Sequence, residues 1–179
     1  NVLLSNSLSM RQRDGCDRIG GTLDIAGEDF CSVTSVFYTK FSNATERICN
    51  LCNDRFYRLS GSTWVQNTAS GSVAITGGQN NQFVFAEAFD NVILTNDVNP
   101  VIRSTSNDRY SPLAFNGLTD TIQAAKTVLF FKNYLIFGNT KEAGVRYATR
   151  LRWSNVGEIE RYSDEDFVDI SELGGQAIN

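Results

Sequence analysis

The sequence predicts an all-β protein, and two observations carry that prediction. Short runs rich in Val, Ile, Phe, Tyr and Thr alternate with clusters of Gly, Asn, Asp and Ser, the pattern of strands separated by tight turns. The composition, 41% hydrophobic and 20% charged over 179 residues, is that of a globular domain with a sizeable core. The longest apolar run, 128–131, is far shorter than the ~20 residues of a membrane-spanning helix, so we expect no such segment.

Most of the strands follow from these runs, taken in chain order. The segment 118–125 carries a weak helical pattern, but its β-branched residues disfavour a helix. The predicted strands are 32–41, 46–52, 55–59, 82–89, 92–96, 127–131, 134–139 and 150–154.

Three dipeptides between these runs are typical of hairpin turns: Asn53-Asp54, Asp90-Asn91 and Lys132-Asn133. Asn and Asp tolerate positive φ, as primed two-residue turns require. Asn91 and Asn133 are 42 positions apart and Asp54 and Asn91 are 37 apart, close to the spacing of four-stranded propeller blades. A sandwich or barrel of evenly spaced strands fits the same pattern and stays open as an alternative.

We therefore predict a partial β-propeller of about three blades of antiparallel strands. Residues 1–29 form an N-terminal strand and connector in this interpretation, and residues 30–179 form the blades. The blade boundaries are about 30–66, 67–123 and 124–170, with the start of a further blade at 171–179. We expect the chain to be a fragment of a larger propeller protein.

The ordered segments resemble a known family, the β-propeller tail nozzle (tail tubular) and related tail-closing proteins of short-tailed bacteriophages. The resemblance lies in segments 8–15, 35–38, 48–52, 56–64, 85–96, 125–139 and 166–170, and most clearly in Arg150-Leu151-Arg152-Trp153-Ser154-Asn155-Val156-Gly157. Gly61-Ser62-Thr63-Trp64 is similar to half of the Asp-box turn of sialidase-like propellers, which is a structural feature.

This resemblance implies a structural virion protein that forms a nozzle-type ring around the DNA exit channel. Its partners would be identical subunits in a ring and the neck adaptor or other tail proteins, and DNA would pass through without specific binding. Its location would be the phage tail, assembled in the cytoplasm of the host bacterium.

The charge and composition exclude several kinds of chemistry. The chain has no His, which removes Ser-His-Asp and Cys-His catalysis and His-bearing zinc sites. A net charge of −4 argues against tight nucleic-acid binding, which needs Lys and Arg at the phosphates. We expect no catalytic residue, no cofactor and no metal, and hence a protein that is not an enzyme.

The four cysteines offer one candidate motif, the pair Cys49 and Cys52. A zinc site would need Cys16 and Cys31 as well, and their spacing lacks a second close pair. Cys49 and Cys52 also lie in a predicted strand, where residues three apart point to opposite faces, which argues against their binding one metal ion together. We expect buried free thiols, and a Cys16–Cys31 disulfide stays open although a bacterial cytosol disfavours it.

The remaining candidates are structural or acidic. We expect the turn residues Asp54, Asn91 and Asn133, together with Trp64, Trp153 and Ser154, to shape the turns and the core between blades. An acidic run forms a solvated face, toward a DNA channel or an interface, at Glu158, Glu160, Asp164, Glu165 and Asp166. The alternative is a carbohydrate-binding or carbohydrate-cleaving propeller of a tail spike or glycoside hydrolase, in which two of these carboxylates do the chemistry.

Overall fold

The computed structural model describes residues 2–4, 10–12, 33–52, 55–70, 73–78 and 80–173. The all-β prediction is confirmed, because these residues form strands and one 3₁₀ helix, Ile170–Leu173. The segment 118–125 with its weak helical pattern runs into a strand at Ile122. Within the described ranges, no helix has the length and apolarity needed to cross a bilayer.

The first strands form two separate antiparallel sheets. A short pair, β1 and β2, lies within the predicted N-terminal connector. The next four strands form sheet I, in which each strand pairs with its neighbour in the chain. The bounds are β1 Val2–Leu4 and β2 Met10–Gln12, then β3 Val33–Lys40, β4 Glu46–Cys52, β5 Phe56–Ser60 and β6 Thr63–Gln66 in sheet I.

Sheet II has five strands in the order β7-β11-β10-β9-β8. Four of them form an antiparallel meander, and β7, which follows sheet I directly in the chain, pairs parallel to β11 at the edge. Backbone hydrogen bonds from Thr68 N to Asp108 O (3.4 Å) and from Ser70 N to Tyr110 O (2.6 Å) hold β7 there. The bounds are β7 Thr68–Ala69, β8 Val84–Ala88, β9 Asn91–Thr95, β10 Ile102–Ser104 and β11 Arg109–Pro112.

Sheet III is again an antiparallel meander of four strands in chain order, and three of them are long. It consists of β12 Ile122–Phe131, β13 Tyr134–Glu142, β14 Val145–Trp153 and β15 Phe167–Asp169.

Sheet II lies between sheet I and sheet III, and the first strand of its meander, β8, is a neighbour of the first strands of the other two sheets. Strand β8 contacts both β3 of sheet I and β12 of sheet III. The side chains of β9 alternate between two cores: Val92 and Leu94 pack toward sheet I, and Ile93 packs toward sheet III. None of the sheets closes on itself, so the described residues form an open stack.

Two cores fill the spaces between the sheets. The core between sheets I and II contains Phe37, Leu51 and Phe56 among others, and aromatic rings dominate it. The core between sheets II and III is built around Phe137 and Tyr162. In both cores, apolar side chains from two facing sheets pack against each other, as is usual where two sheets stack.

The β12–β13 turn has the primed geometry that its sequence indicates. Lys132 and Asn133 have φ values of 48° and 65°, as both central residues of a type I′ turn require. The β8–β9 turn lies one residue earlier than the Asp90-Asn91 pattern placed it: its central residues are Phe89 (φ 44°) and Asp90 (φ 60°).

Asn91 is the first residue of β9 and not part of the turn itself. Its side-chain Nδ2 donates to the carbonyl oxygens of Ala88 (3.3 Å) and Phe89 (2.7 Å), so the amide stabilises the turn from its flank. Asp54, in the first predicted turn, lies outside the described residues.

A buried ion network joins the strands of sheet III. The carboxylate of Glu142 accepts hydrogen bonds from Arg152 Nε (3.0 Å) and Nη2 (2.9 Å), from Arg150 Nη1 (3.2 Å) and from Thr140 Oγ1 (2.6 Å). Arg150 also pairs with Asp169 of β15, and this guanidinium holds the pKa of Asp169 below its ordinary value. The network therefore fixes β15 to the rest of the sheet.

We expect Glu142→Ala to destabilise the protein by about 3–5 kcal/mol, because it removes the carboxylate that buried Arg152 pairs with and leaves Arg150 with Asp169 alone. The matched control is Glu46→Ala, which removes one side of the exposed Lys40–Glu46 pair and costs less than about 1 kcal/mol. The measurement is the free energy of unfolding in urea. Equal losses in the two variants would contradict this assignment.

Candidate functional site

The segment between β14 and β15 folds back onto the first hairpin of sheet III. Ser154 is fully buried, and its Oγ accepts a hydrogen bond from Leu135 N (3.0 Å) and donates one to Asn155 O (2.9 Å). Gly157 N donates to Asn133 O (2.9 Å) at the β12–β13 turn. The Trp-Ser-x-x-Gly pattern is therefore a structural link between the β14–β15 connection and the β12–β13 hairpin.

Two carboxylates of the acidic run join this segment to sheet II and its connector. Glu160 pairs with Arg103 Nη1 of β10 (2.9 Å) and accepts from Ala114 N (3.4 Å). Asp164 accepts from Thr119 N (2.9 Å) and Thr119 Oγ1 (2.7 Å), and these hydrogen bonds hold its pKa below the ordinary value.

The other three acidic residues point to no common partner. Glu158 is exposed, 3.4 Å from Asn155 Nδ2 and 3.9 Å from Arg161. Glu165 is exposed and Asp166 is half-buried. The segment that carries all five residues leads to β15, the edge strand farthest from β12 in the order of sheet III. The acidic residues are thus dispersed around a connection between sheets and do not form one continuous face.

The same segment borders an open cavity of 580 Å³, lined by Asn116, Gly117, Glu158, Ile159, Glu160 and Arg161. Glycoside hydrolysis needs two carboxyl groups that both reach the substrate. Glu160 is already occupied by Arg103 and a backbone N–H, which leaves Glu158 as the available carboxylate of this cavity. No aromatic side chain is among these lining residues to stack on a sugar ring.

Gly117 shows how closely this segment and the connector approach each other. Its φ is +94°, and a Cβ built on it would lie 2.2 Å from the carbonyl oxygen of Tyr162. Asn116 N donates to Glu160 O (3.0 Å), and Tyr162 N donates to Asn116 O (2.9 Å). No pattern in the sequence indicates this contact, because a single Gly in a polar loop gives no distinguishing signal.

Similar links join sheet I to sheet II. Asp108, in the β10–β11 turn, pairs with Arg47 Nε (2.7 Å) of β4 and with Arg58 Nε (2.9 Å) of β5. Asp90, in the β8–β9 turn, accepts from Ser42 N (2.7 Å) and from Ser42 Oγ, and these hydrogen bonds lower its pKa. The pair of Arg103 and Glu160, between sheets II and III, is arranged like the pair of Arg58 and Asp108. In each pair the arginine lies in the third strand of its meander, and the acidic residue lies in the connection between the third and fourth strands of the next meander.

The cysteines differ from the expectation of two free thiols. Cys49 is free and lies in the core between sheets I and II, and burial raises its pKa to about 12, which makes the thiol unreactive. Cys52 is disulfide-bonded, so the prediction was wrong for this residue. Cys16 and Cys31, the other proposed disulfide pair, lie outside the described residues. Within the described part of the chain, no group of His, Cys, Asp or Glu is arranged to hold a metal ion.

The two tryptophans occupy outward positions. Trp64 and Trp153 are half-buried and belong to neither core cluster, whereas Phe56 and Phe137 lie inside the clusters. Trp153 is the register partner of Ile136 on the face of sheet III that points away from sheet II. The polar ring nitrogen of Trp is compatible with such a half-exposed site.

The fold and these contacts define an all-β protein of stacked antiparallel sheets held together by apolar cores and side-chain links. A scan against protein-family models found no match, and neither did comparisons with curated proteins and with solved structures.

We expect Gly117→Ala to destabilise the fold by at least about 3 kcal/mol, because the new methyl group collides with the Tyr162 backbone at an unfavourable φ. Gly144→Ala is the matched control: its φ is +84°, but a Cβ there meets open space, so it pays only the backbone cost of about 1–2 kcal/mol. Urea unfolding of both variants measures the difference. A smaller loss at Gly117 than at Gly144 would refute the close contact.

We expect the pKa values of Asp90 and Asp164 to lie below the ordinary aspartate value, as read from carboxyl ¹³C shifts during a pH titration. Ser42→Ala should raise the pKa of Asp90 and leave that of Asp164 unchanged. Thr119→Val should raise the pKa of Asp164 and leave that of Asp90 unchanged. Each variant is the control for the other.

The lowered pKa values determine how the stability of the fold depends on pH. Each hydrogen-bonded carboxylate stabilises the folded state above the unfolded pKa of about 3.9, and this contribution disappears as the pH falls through the folded-state pKa. Wild-type protein should therefore lose more stability on acidification than the double variant Ser42→Ala/Thr119→Val. Parallel stability curves for the two proteins would contradict the assignment.

Proposed function

We propose that the chain is a structural component of a bacteriophage tail, a nozzle-type protein that helps to form a ring around the DNA exit channel and performs no covalent chemistry. The observation that supports it most is the succession of three sheets, each with a four-stranded meander, stacked face to face with β3, β8 and β12 as neighbours. Consecutive blades of a propeller have this order, with the first strand of each blade nearest the axis.

The resemblance of the ordered segments to tail nozzle proteins supplies the biological context. The strongest segment, Arg150 to Gly157, contains Arg152 and Ser154, which have structural roles in sheet III. A motif whose residues are used for architecture favours a building role over catalysis. In this proposal the full protein is a closed propeller, and this chain supplies part of it.

The charge of the chain favours passage of DNA over binding of DNA. The net charge is −4, and several of the arginines are already paired with acidic residues, among them Arg58, Arg103 and Arg152. Such guanidinium groups are not free to displace counterions from phosphates. A channel wall of this kind would let the duplex slide.

The test is the location of the chain in virus particles. In purified virions of a short-tailed phage whose genome encodes the chain, quantitative mass spectrometry should find it at a fixed copy number per particle. Cryo-electron microscopy of the same particles should place its sheets around the tail axis. Its absence from virions would refute the proposal. Release of sugars from a host polysaccharide by the purified protein, lost in Glu158→Gln, would instead establish the carbohydrate-cleaving alternative.

A further inference from the structure

A further open cavity lies on sheet II, beside the turn between β10 and β11, and polar side chains dominate its wall. Its volume is 230 Å³, and none of the described residues that line it is acidic. The polar side chains come from neighbouring segments of the sheet: Ser70 follows β7, Arg103 belongs to β10, Thr105 and Asn107 to the turn, and Arg109 and Ser111 to β11. The cavity is therefore built from several strands at one edge of the sheet.

The guanidinium of Arg109 is an exposed cation in the wall of this cavity. Within the described part of the chain, its side chain makes no ion pair and no hydrogen bond, and only its backbone N–H donates, to Asn107 Oδ1 (3.2 Å). The adjacent carboxylate of Asp108 does not compensate this charge, because it pairs with Arg47 and Arg58 of sheet I. Arg109 is therefore available to a ligand.

The amide and hydroxyl groups beside Arg109 also have donors that no described residue uses. Asn107 Oδ1 accepts from Thr105 Oγ1 (2.6 Å) and from Arg109 N (3.2 Å), whereas the Nδ2 group of Asn107 has no acceptor among the described residues. Ser111 Oγ accepts from Arg103 Nε (3.4 Å), so its own O–H is left to donate. The cavity thus offers a guanidinium, an amide and a hydroxyl to a ligand that accepts hydrogen bonds.

The charge at this cavity is positive, although the chain as a whole carries a net charge of −4. Arg103 is paired with Glu160 (2.9 Å), so this carboxylate compensates one of the two arginines in the wall and leaves Arg109 uncompensated. Glu160 itself lines the 580 Å³ cavity, together with Glu158. The acidic and the basic groups of this region therefore line two different cavities, and the smaller cavity favours an anion.

We propose that the 230 Å³ cavity binds one phosphate group, held by Arg109 with Asn107 Nδ2 and the Ser111 hydroxyl as further donors. A phosphate group attached to a larger molecule has three strong acceptor oxygens and carries up to about two negative charges. A guanidinium binds two of these oxygens at once. A carboxylate has only one charge and two oxygens, so it would use fewer of these donors.

The size of the cavity limits the ligand. Pockets for drug-sized molecules begin at about 300 Å³, so a cavity of 230 Å³ holds a phosphate group and not a whole cofactor. The ligand is therefore free phosphate, or a small phosphomonoester whose organic part extends out of the open cavity. This inference goes beyond the proposed tail function and does not depend on it.

The experiment titrates the full chain with inorganic phosphate at constant ionic strength and follows backbone amide signals by ¹H–¹⁵N NMR. The signals of residues 103–111 should shift and reach saturation. Glucose 6-phosphate distinguishes the two sources: tighter binding than that of phosphate assigns a phosphomonoester, and equal binding assigns the phosphate group alone. Acetate, which supplies a carboxylate, should bind more weakly than either.

Two arginine variants with the same change of charge test the site. Arg109→Gln should weaken phosphate binding by about tenfold, the effect of losing one charged hydrogen bond. Arg161→Gln is the matched control, because the Arg161 side chain is 67% exposed and lies outside this cavity, and it should leave the affinity nearly unchanged. Ser111→Ala should also weaken binding. Circular dichroism of each variant shows whether the strands are retained.

Four results would overturn the inference. The first is the absence of saturable shifts at phosphate concentrations up to about 10 mM. The second is an equal loss of affinity in Arg109→Gln and Arg161→Gln, which indicates attraction by the overall charge. The third is binding of acetate as tight as that of phosphate. The last is tighter binding of a single-stranded DNA oligonucleotide without terminal phosphates, lost equally in both arginine variants, which indicates a nucleic-acid surface instead.

Discussion

The structure depends on the burial of the middle sheet on both of its faces. In β9, Val92 and Leu94 pack toward one neighbour and Ile93 toward the other, and all three are at most 1% exposed. A strand in this position cannot alternate apolar with polar residues, so it appears in the sequence as a continuous apolar run. Burial of apolar area is the main favourable contribution to folding, and here one strand supplies it to two interfaces. The acidic side chains that link one sheet to the next, such as Asp108 and Glu160, therefore lie in turns and connections.

One group of buried polar side chains serves an irregular segment. Residues 73–78 have no regular strand, yet Val73 and Ile75 belong to the core between sheets I and II. The side chain of Asn99 compensates for this, since its Nδ2 donates to Ala74 O (2.8 Å) and its Oδ1 accepts from Thr76 N (3.1 Å). A buried backbone without such partners would be costly. Side-chain amides thus replace the hydrogen bonds that a neighbouring strand would otherwise provide.

The sequence predicted the apolar runs of the long strands, but only about half of β12 and of β14, and it missed the short polar strands. Strands β3, β4 and β13 were predicted because their side chains are hydrophobic, but β10, with Ile-Arg-Ser, and β11, which ends in Pro112, are stabilised by their neighbours in the sheet and carry little signal of their own. The acidic run is continuous in sequence but dispersed in space, because an irregular connection sends each carboxylate in a different direction. The links from Asp108 and Glu160 to arginines of another sheet join residues far apart in the chain, which no local pattern reveals.

Strand β7 has a mechanical consequence. The chain leaves sheet I and immediately pairs, parallel, with the edge of sheet II, through the hydrogen bonds at Thr68 and Ser70. A force that pulls sheet I away from sheet II therefore loads these backbone bonds together with the apolar contact, and they must break at once. Neighbouring sheets joined in this way resist being peeled apart one at a time.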